Sequence, residues 1–175
     1  MKKYLLVTGF AAISTLIISG CILTTGQITF TQPIDAGYMT DSTIYKKSLD
    51  LNVNSDYADN LDKIKSVDAV SFVAKIFNRG TVDNKAELYI SLDSDLNDAD
   101  SIRAKAIKVL SSPTVPAGDS VFIKWNDSFK YMFNKTDLEH YVLDHGQFVV
   151  YGIADNTPFN DSIQAEIVVT ITVGN

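Results

Sequence analysis

One loop of the sequence gathers the side-chain types that bind a calcium ion. Five oxygen-bearing side chains fall within it: Asp93, Asp95, Asn97, Asp98 and Asp100. Calcium takes about six to eight oxygen ligands, so carboxylates at alternate positions suit it. The EF-hand pattern fails, however, because its sixth position holds Asp98 instead of Gly and its twelfth holds Ala104 instead of Glu. The sequence favours a solvated acidic loop without metal, and a looser calcium site is the alternative.

The histidines and nucleophiles do not form a catalytic constellation. His140 and His145 are the only histidines, and a gap of five residues does not put them on one helix face. They are therefore poor joint metal ligands. The sequence also lacks a Gly-x-Ser-x-Gly elbow and a His-Glu-x-x-His motif. We expect no catalytic residues, no bound cofactor and no enzymatic activity.

A third candidate site is aromatic. Five rings gather in one region: Trp125, Phe129, Tyr131, Phe133 and Tyr141. Rings that are exposed in a row on a sheet can stack on sugars, which makes Trp125, Tyr131 and Tyr141 candidates for ligand binding. Aromatic side chains also bury a large apolar area and are common in cores. The sequence favours the core, and the exposure of these three rings distinguishes the alternatives.

The only cysteine follows a segment that has the three parts of an export signal. A basic start at residues 2–3 precedes an uncharged, largely apolar run at 4–18, and the small residues Ser19 and Gly20 then precede Cys21. The apolar run is shorter than the ~20 residues that a transmembrane helix needs. The segment is therefore predicted to be cut immediately before Cys21.

Ile18-Ser19-Gly20-Cys21 resembles the lipobox of bacterial lipoprotein precursors. In that class the cysteine thiol receives diacylglycerol, the preceding residues are removed and the new amine is often acylated. The resemblance implies a signal peptide over 1–20, a lipidated cysteine with a short tether over 21–26, and membrane attachment through the lipid. Two or three acyl chains anchor a protein stably, whereas one is marginal. Ile22 stands where enterobacterial lipoproteins retained at the inner membrane carry Asp, which favours an outer membrane in a two-membrane cell.

The composition of the chain after the predicted signal peptide limits its partners and the way it can be stabilised. Loss of the signal leaves 13 basic and 21 acidic residues, a formal charge of −8. An acidic surface argues against nucleic acid as a partner. No second cysteine is present, so the domain must fold on its hydrophobic core without a disulfide. Residues 27–175 are long enough for a single ordinary domain.

Alternating apolar residues predict seven or eight short strands. They fall at 27–32, 42–53, 67–77, 82–92, 102–110, 120–125, 147–154 and 162–173. Residues 102–110 suit a strand or a helix, and 54–66 suit a short helix or a wrapped loop. One short helix is predicted near the end, because Thr136–Glu139 has a capping-box pattern and Gly146 fits the position after a helix.

The element pattern has no βαβ spacing and no fixed repeat. It favours an all-β, antiparallel β-sandwich that resembles Ig-like and fibronectin-like envelope domains, and a small barrel is the alternative. Residues 67–77 and 82–92, joined at Asn78-Arg79-Gly80, are predicted to pair as a hairpin. The sequence thus predicts a lipid-anchored envelope lipoprotein with a non-enzymatic binding or structural domain, whose partner is an envelope protein or a glycan. A carbohydrate- or calcium-binding surface module is the alternative.

Overall fold

The computed structural model describes residues 25–34, 37–42, 44–155 and 159–174. The predicted signal peptide and Cys21 lie outside these residues. In the part of the chain that is described, no helix combines the length and the apolar character needed to span a membrane.

The described residues form nine β-strands in two antiparallel sheets. The strands are β1 (Gly26–Pro33), β2 (Gly37–Ser42), β3 (Ile44–Asp50), β4 (Ile64–Asn78), β5 (Ala86–Ser91), β6 (Ile107–Ser111), β7 (Ser120–Ile123), β8 (Gln147–Ala154) and β9 (Phe159–Val173). Sheet A has the order β1-β9-β4-β7, and β2 also pairs with β9; sheet B has the order β3-β8-β5-β6. The predicted antiparallel β-sandwich is confirmed at this level.

The strand pairs are nested along the chain. β2 pairs with β9, β3 with β8, β4 with β7, and β5 with β6. A single long antiparallel hairpin rolled into two sheets gives this order, which is that of a jelly roll. The finer, Ig-like arrangement that the sequence favoured is not confirmed.

The predicted hairpin between residues 67–77 and 82–92 is wrong. β4 lies in sheet A and β5 lies in sheet B, so the chain crosses between the sheets after β4. The side chain of Asn78 holds this crossing, because its Nδ2 donates to the carbonyls of Val82 (2.8 Å) and Val115 (3.0 Å). Its Oδ1 accepts the N–H of Gly80 at 2.9 Å. These bonds fold the loop toward sheet B instead of returning it along β4.

The main core lies between the sheets and follows the alternation of the longest strands. The inward residues of β4 are buried: Val70, Phe72, Ala74 and Ile76. On β9 the buried residues of the predicted face are Ala165, Ile167, Val169 and Ile171. Burial of a large apolar side chain contributes about 1.5–3 kcal/mol, so these two strands supply a major share of the stabilisation. The inward faces predicted for both strands are confirmed.

Short helices complete the domain. They are α1 (Ser55–Ala58), α2 (Ala99–Lys105), α3 (Trp125–Ser128) and α4 (Lys135–His140), and a wider turn follows over Tyr141–His145. The sequence predicted one helix near the end, where α4 lies, and left 54–66 open between a short helix and a wrapped loop, where α1 lies; α3 was not predicted. Residues 102–110, which suited a strand or a helix in the sequence, are part helix and part strand: they contain the end of α2 and most of β6. Gly146 has the predicted left-handed conformation, with φ of +63°.

The second predicted strand is too long at its end. β3 stops at Asp50, whose carboxylate accepts the N–H of Asn52 at 2.9 Å and starts a 3-10 turn over Leu51–Val53. Val53 continues the alternation of Leu49 and Leu51 in the predicted strand 42–53, but its side chain is 73% exposed. Leu51 is fully buried, so the turn keeps one apolar side chain in the core and releases the other.

The outer faces of the two sheets differ. α2 and the loop before it cover sheet B, and a second apolar cluster forms beneath them from Tyr89, Leu96, Ile102, Val149, Tyr151 and Ile153. On sheet A, outward side chains of β9 such as Gln164 and Glu166 are exposed. Sheet A therefore presents strand side chains directly to the surroundings.

Candidate functional site

The acidic loop is held by local contacts. Asp93 Oδ1 accepts the N–H of Asp95 at 2.8 Å, and the backbone carbonyl of Asp93 accepts the hydroxyl of Tyr151 at 2.7 Å. Asp98 caps α2, because its Oδ1 accepts the N–H of Ser101 at 2.8 Å. The Ser101 bonds lower the pKa of Asp98. Among the described residues, no group of three or more His, Cys, Asp and Glu side chains is arranged to hold a metal ion.

Leu96 explains the course of the acidic loop over sheet B. Its side chain is 3% exposed and packs in the second apolar cluster. The loop is therefore a structured cover with an apolar residue turned inward. The calcium candidates Asp93, Asp95, Asn97 and Asp98 flank this inward side chain in the sequence.

The two histidines have separate environments. His140 Nδ1 lies 3.3 Å from Asp144 Oδ2, one helical turn away. The ring of His145 packs edge-on against Tyr141, with centroids 5.5 Å apart. Both histidines are exposed.

The predicted aromatic candidates do not form one exposed row. Trp125 is 46% exposed and its ring meets Phe129 edge-on at 5.5 Å between centroids. Tyr131 and Tyr141 are partly buried against the main core. The two tyrosines therefore pack against the core, as the sequence favoured, whereas Trp125 is half-exposed.

A groove on the outer face of sheet A brings together residues from three strands. It has a volume of about 390 Å³, and its side chains come from Val73 and Lys75 on β4, Phe122 on β7, and Gln164 and Glu166 on β9. The strand register explains this grouping: Lys75 lies opposite Phe122 on one side and opposite Gln164 on the other. Val73 lies opposite Glu166 in the next outward position.

The groove combines one exposed apolar ring with two polar side chains that have no hydrogen-bond or ion-pair partner in the described ranges. Phe122 is 57% exposed. Among the described residues, the side chains of Gln164 and Glu166 make no hydrogen bond or ion pair. Lys75 Nζ lies 4.5 Å from the centroid of the Phe77 ring, a cation–π contact that directs the ammonium group along β4. The polar groups of Gln164 and Glu166 are thus available to a ligand.

The sequence reasoning missed this groove. The alternation over residues 120–125 predicts which side chains face inward. Phe122 occupies an outward position between Val121 and Ile123. An aromatic residue on the polar side of a strand was the available signal. Its neighbours Lys75 and Gln164 could not be identified, because they depend on the register of β4 with β7 and β9.

A buried polar cluster at one end of the sandwich was also missed. Asn78, Asn84 and Asp161 are 2%, 6% and 2% exposed. Asp161 Oδ2 accepts a hydrogen bond from the side-chain amide of Asn84 at 3.1 Å, whereas Asp161 Oδ1 is buried and has no hydrogen-bond partner within the described part of the chain. Burial raises the pKa of Asp161, and the Asn84 bond opposes part of that rise.

Comparison with known proteins yields no family. No family model matches the chain, and no curated protein matches it. Solved structures show distant likeness. A structure of Desmodium yellow mottle tymovirus has 11% identity and a TM-score of 0.42, over 87% of this chain and 89% of that chain. One of mud crab tombus-like virus has 11% identity and a TM-score of 0.44, over 87% and 82%.

A third similar structure comes from a different kind of protein. The Anabaena sensory rhodopsin transducer has 13% identity and a TM-score of 0.33, over 72% of this chain and 96% of that chain. At these scores the similarities carry no argument about function.

Proposed function

We propose that the chain is the precursor of a lipid-anchored lipoprotein of the cell envelope. Cys21 carries the lipid, and the β-sandwich acts as a non-enzymatic binding or structural module. The observation that carries the proposal is the sequence Ile18-Ser19-Gly20-Cys21, placed immediately after an uncharged apolar run with a basic start.

The start of the first strand supports a domain that lies close to the membrane. β1 begins at Gly26, where the tether predicted from the sequence ends. Five extended residues reach only about 17 Å at ~3.3 Å per residue. Ile22 after the cysteine favours the outer membrane in a two-membrane cell.

The use of the charged side chains supports a non-enzymatic role. Glu87 accepts hydrogen bonds from Tyr89 (2.8 Å) and Lys108, and its carboxylate lies 3.6 Å from Arg103. This network joins α2 to sheet B. The charges of Glu87, Arg103 and Lys108 thus hold α2 and sheet B together.

Metabolic labelling with a fatty acid tests the proposal. Wild-type protein is expected to carry the label and to sediment with membranes, and Cys21→Ser is expected to lose both. The control Ser19→Ala keeps a small residue before the cleavage point and should behave as wild type. Separation of the two membranes by density shows whether the outer membrane holds the protein.

Three outcomes contradict the proposal. An unlabelled wild-type protein excludes acylation, and a labelled Cys21→Ser variant places the lipid elsewhere. An unlabelled variant that stays in the membrane at precursor size points to an uncleaved signal helix.

A further inference from the structure

We propose that the groove on the outer face of sheet A binds a neutral glycan, a chain of hexose or N-acetylhexosamine rings. This inference names the partner class for the binding role proposed above. It depends on the groove alone and not on the lipid at Cys21.

The groove is a rigid platform of suitable size. Phe122, Lys75 and Gln164 stand side by side on three hydrogen-bonded strands. Neighbouring strands are ~4.8 Å apart, so this row spans roughly 10 Å, enough for about two sugar rings. The sheet backbone fixes the three positions, so a ligand has to order only the exposed side chains, at a cost of about 0.5–1.5 kcal/mol for each long one.

The side chains match the two kinds of surface that a sugar ring presents. Phe122 offers an exposed ring on which the C–H face of a pyranose can stack. The amide of Gln164 both donates and accepts, and the carboxylate of Glu166 accepts two or more hydrogen bonds. Sugar hydroxyls both donate and accept, so they can satisfy these free groups together.

Charge selects a neutral glycan over an anionic one. Lys75 and Glu166 contribute one formal charge of each sign to the groove, so the groove itself has no excess of positive charge. The whole chain has a formal charge of −6 and repels polyanions. A polymer of uronic acids or phosphates is therefore disfavoured.

The floor of the groove disfavours an extended peptide as the ligand. At Lys75 the floor strand β4 lies between β7 and β9 and is hydrogen-bonded on both sides. An added peptide strand needs a sheet edge, which β4 does not offer at this floor; the edge of sheet A lies at β7, beside Phe122 and not beneath the ligand. Recognition must come from side chains, as it does for sugars.

Titration of the full-length protein in detergent with chitohexaose, cellohexaose and polygalacturonate tests the inference. We expect one of the two neutral glycans to bind and the polyanion not to bind. Phe122→Ala should weaken binding at least tenfold, about 1.4 kcal/mol, and Phe122→Tyr should restore it. The matched control is Phe133→Ala, a ring of similar exposure (46%) outside the groove, and it should bind as wild type.

The result can also overturn the inference. Failure of both neutral glycans to bind at millimolar concentration contradicts it, as does equal binding by Phe122→Ala or binding of the polyanion alone. Phe122 is exposed, so its truncation should leave the melting temperature nearly unchanged, and a Gln164→Ala variant provides a second groove mutation. Fatty-acid labelling is unaffected by either change, which separates a failed groove from a failed anchor.

Discussion

Asp161 is the residue for which the structure predicts the clearest dependence of stability on pH. Its carboxylate is 2% exposed and lies between the sheets beside Asn84. One oxygen accepts a hydrogen bond from Asn84, and the other has no hydrogen-bond partner among the residues that the structure describes. Burial disfavours the charged form and raises the pKa in the folded protein. The substitution Asp161→Asn removes the titrating group and keeps an oxygen for the Asn84 amide.

The sign of the effect follows from proton binding. Between the unfolded-state pKa and the raised folded-state pKa, the folded protein binds more protons than the unfolded chain at Asp161. The contribution of Asp161 to the free energy of unfolding therefore rises as the pH falls through the folded pKa, and it is complete below the unfolded pKa. One proton limits the slope to about 1.4 kcal/mol per pH unit.

Urea unfolding from pH 8 down to about pH 4, near the pKa of an unperturbed aspartate, measures this contribution as a difference between two proteins. The free energy of wild type minus that of Asp161→Asn should increase as the pH is lowered. Asp68 and Glu87, whose pKa values are lowered, are present in both proteins, so their opposite pH dependence cancels in the difference. The exposed control Asp59→Asn measures the effect of an Asp-to-Asn change outside the buried cluster. A wild-type minus Asp161→Asn difference that does not change with pH refutes the reasoning.

The other predictions concern a glycine and the acidic loop. Gly146 and Gly118 both have positive φ, but an added Cβ at Gly146 meets the Tyr57 hydroxyl at 2.9 Å, whereas one at Gly118 meets nothing. Chemical denaturation should show that Gly118→Ala lowers the free energy of unfolding by about 1–2 kcal/mol, because of backbone strain, and that Gly146→Ala lowers it further. Equal decreases for the two variants would contradict a role for the Tyr57 contact. Millimolar calcium should leave the melting temperature of wild type unchanged, and a calcium-dependent rise that Asp95→Ala abolishes would establish the calcium site instead.

The strands β4 and β9 were predictable because each turns one apolar face to the core, whereas β8 was predictable as a nearly continuous apolar run that is buried on both faces. β8 matches the predicted range of 147–154, and β4 and β9 extend the predicted ranges by up to three residues at an end. A half-buried strand must alternate apolar and polar residues, and this local pattern survives without knowledge of the partner strand. The conformation of Gly146 was predictable for a similar local reason, since positive φ favours glycine.

The pairing of the strands was not predictable from local patterns. β2 and β9 are neighbours although more than a hundred residues separate them, and nothing in either segment identifies the other. The turn Asn78-Arg79-Gly80 suits a hairpin locally, but the bonds from the Asn78 side chain to Val82 and Val115 direct the chain to the other sheet. The groove on sheet A was not predictable for the same reason. Phe122 and Gln164 lie in one row only because the register of β4 with β7 and that of β4 with β9 place both residues opposite Lys75.

Mass spectrometry of the N-terminal tryptic peptide tests the central claim most directly. Lys46 is the first basic residue after Cys21, so the mature protein should release a peptide that begins at Cys21 and ends at Lys46. The account predicts that its cysteine carries diacylglycerol, with or without an acyl group on the new amine. A peptide that begins at any other residue, or one that begins at Cys21 with a free thiol, contradicts it.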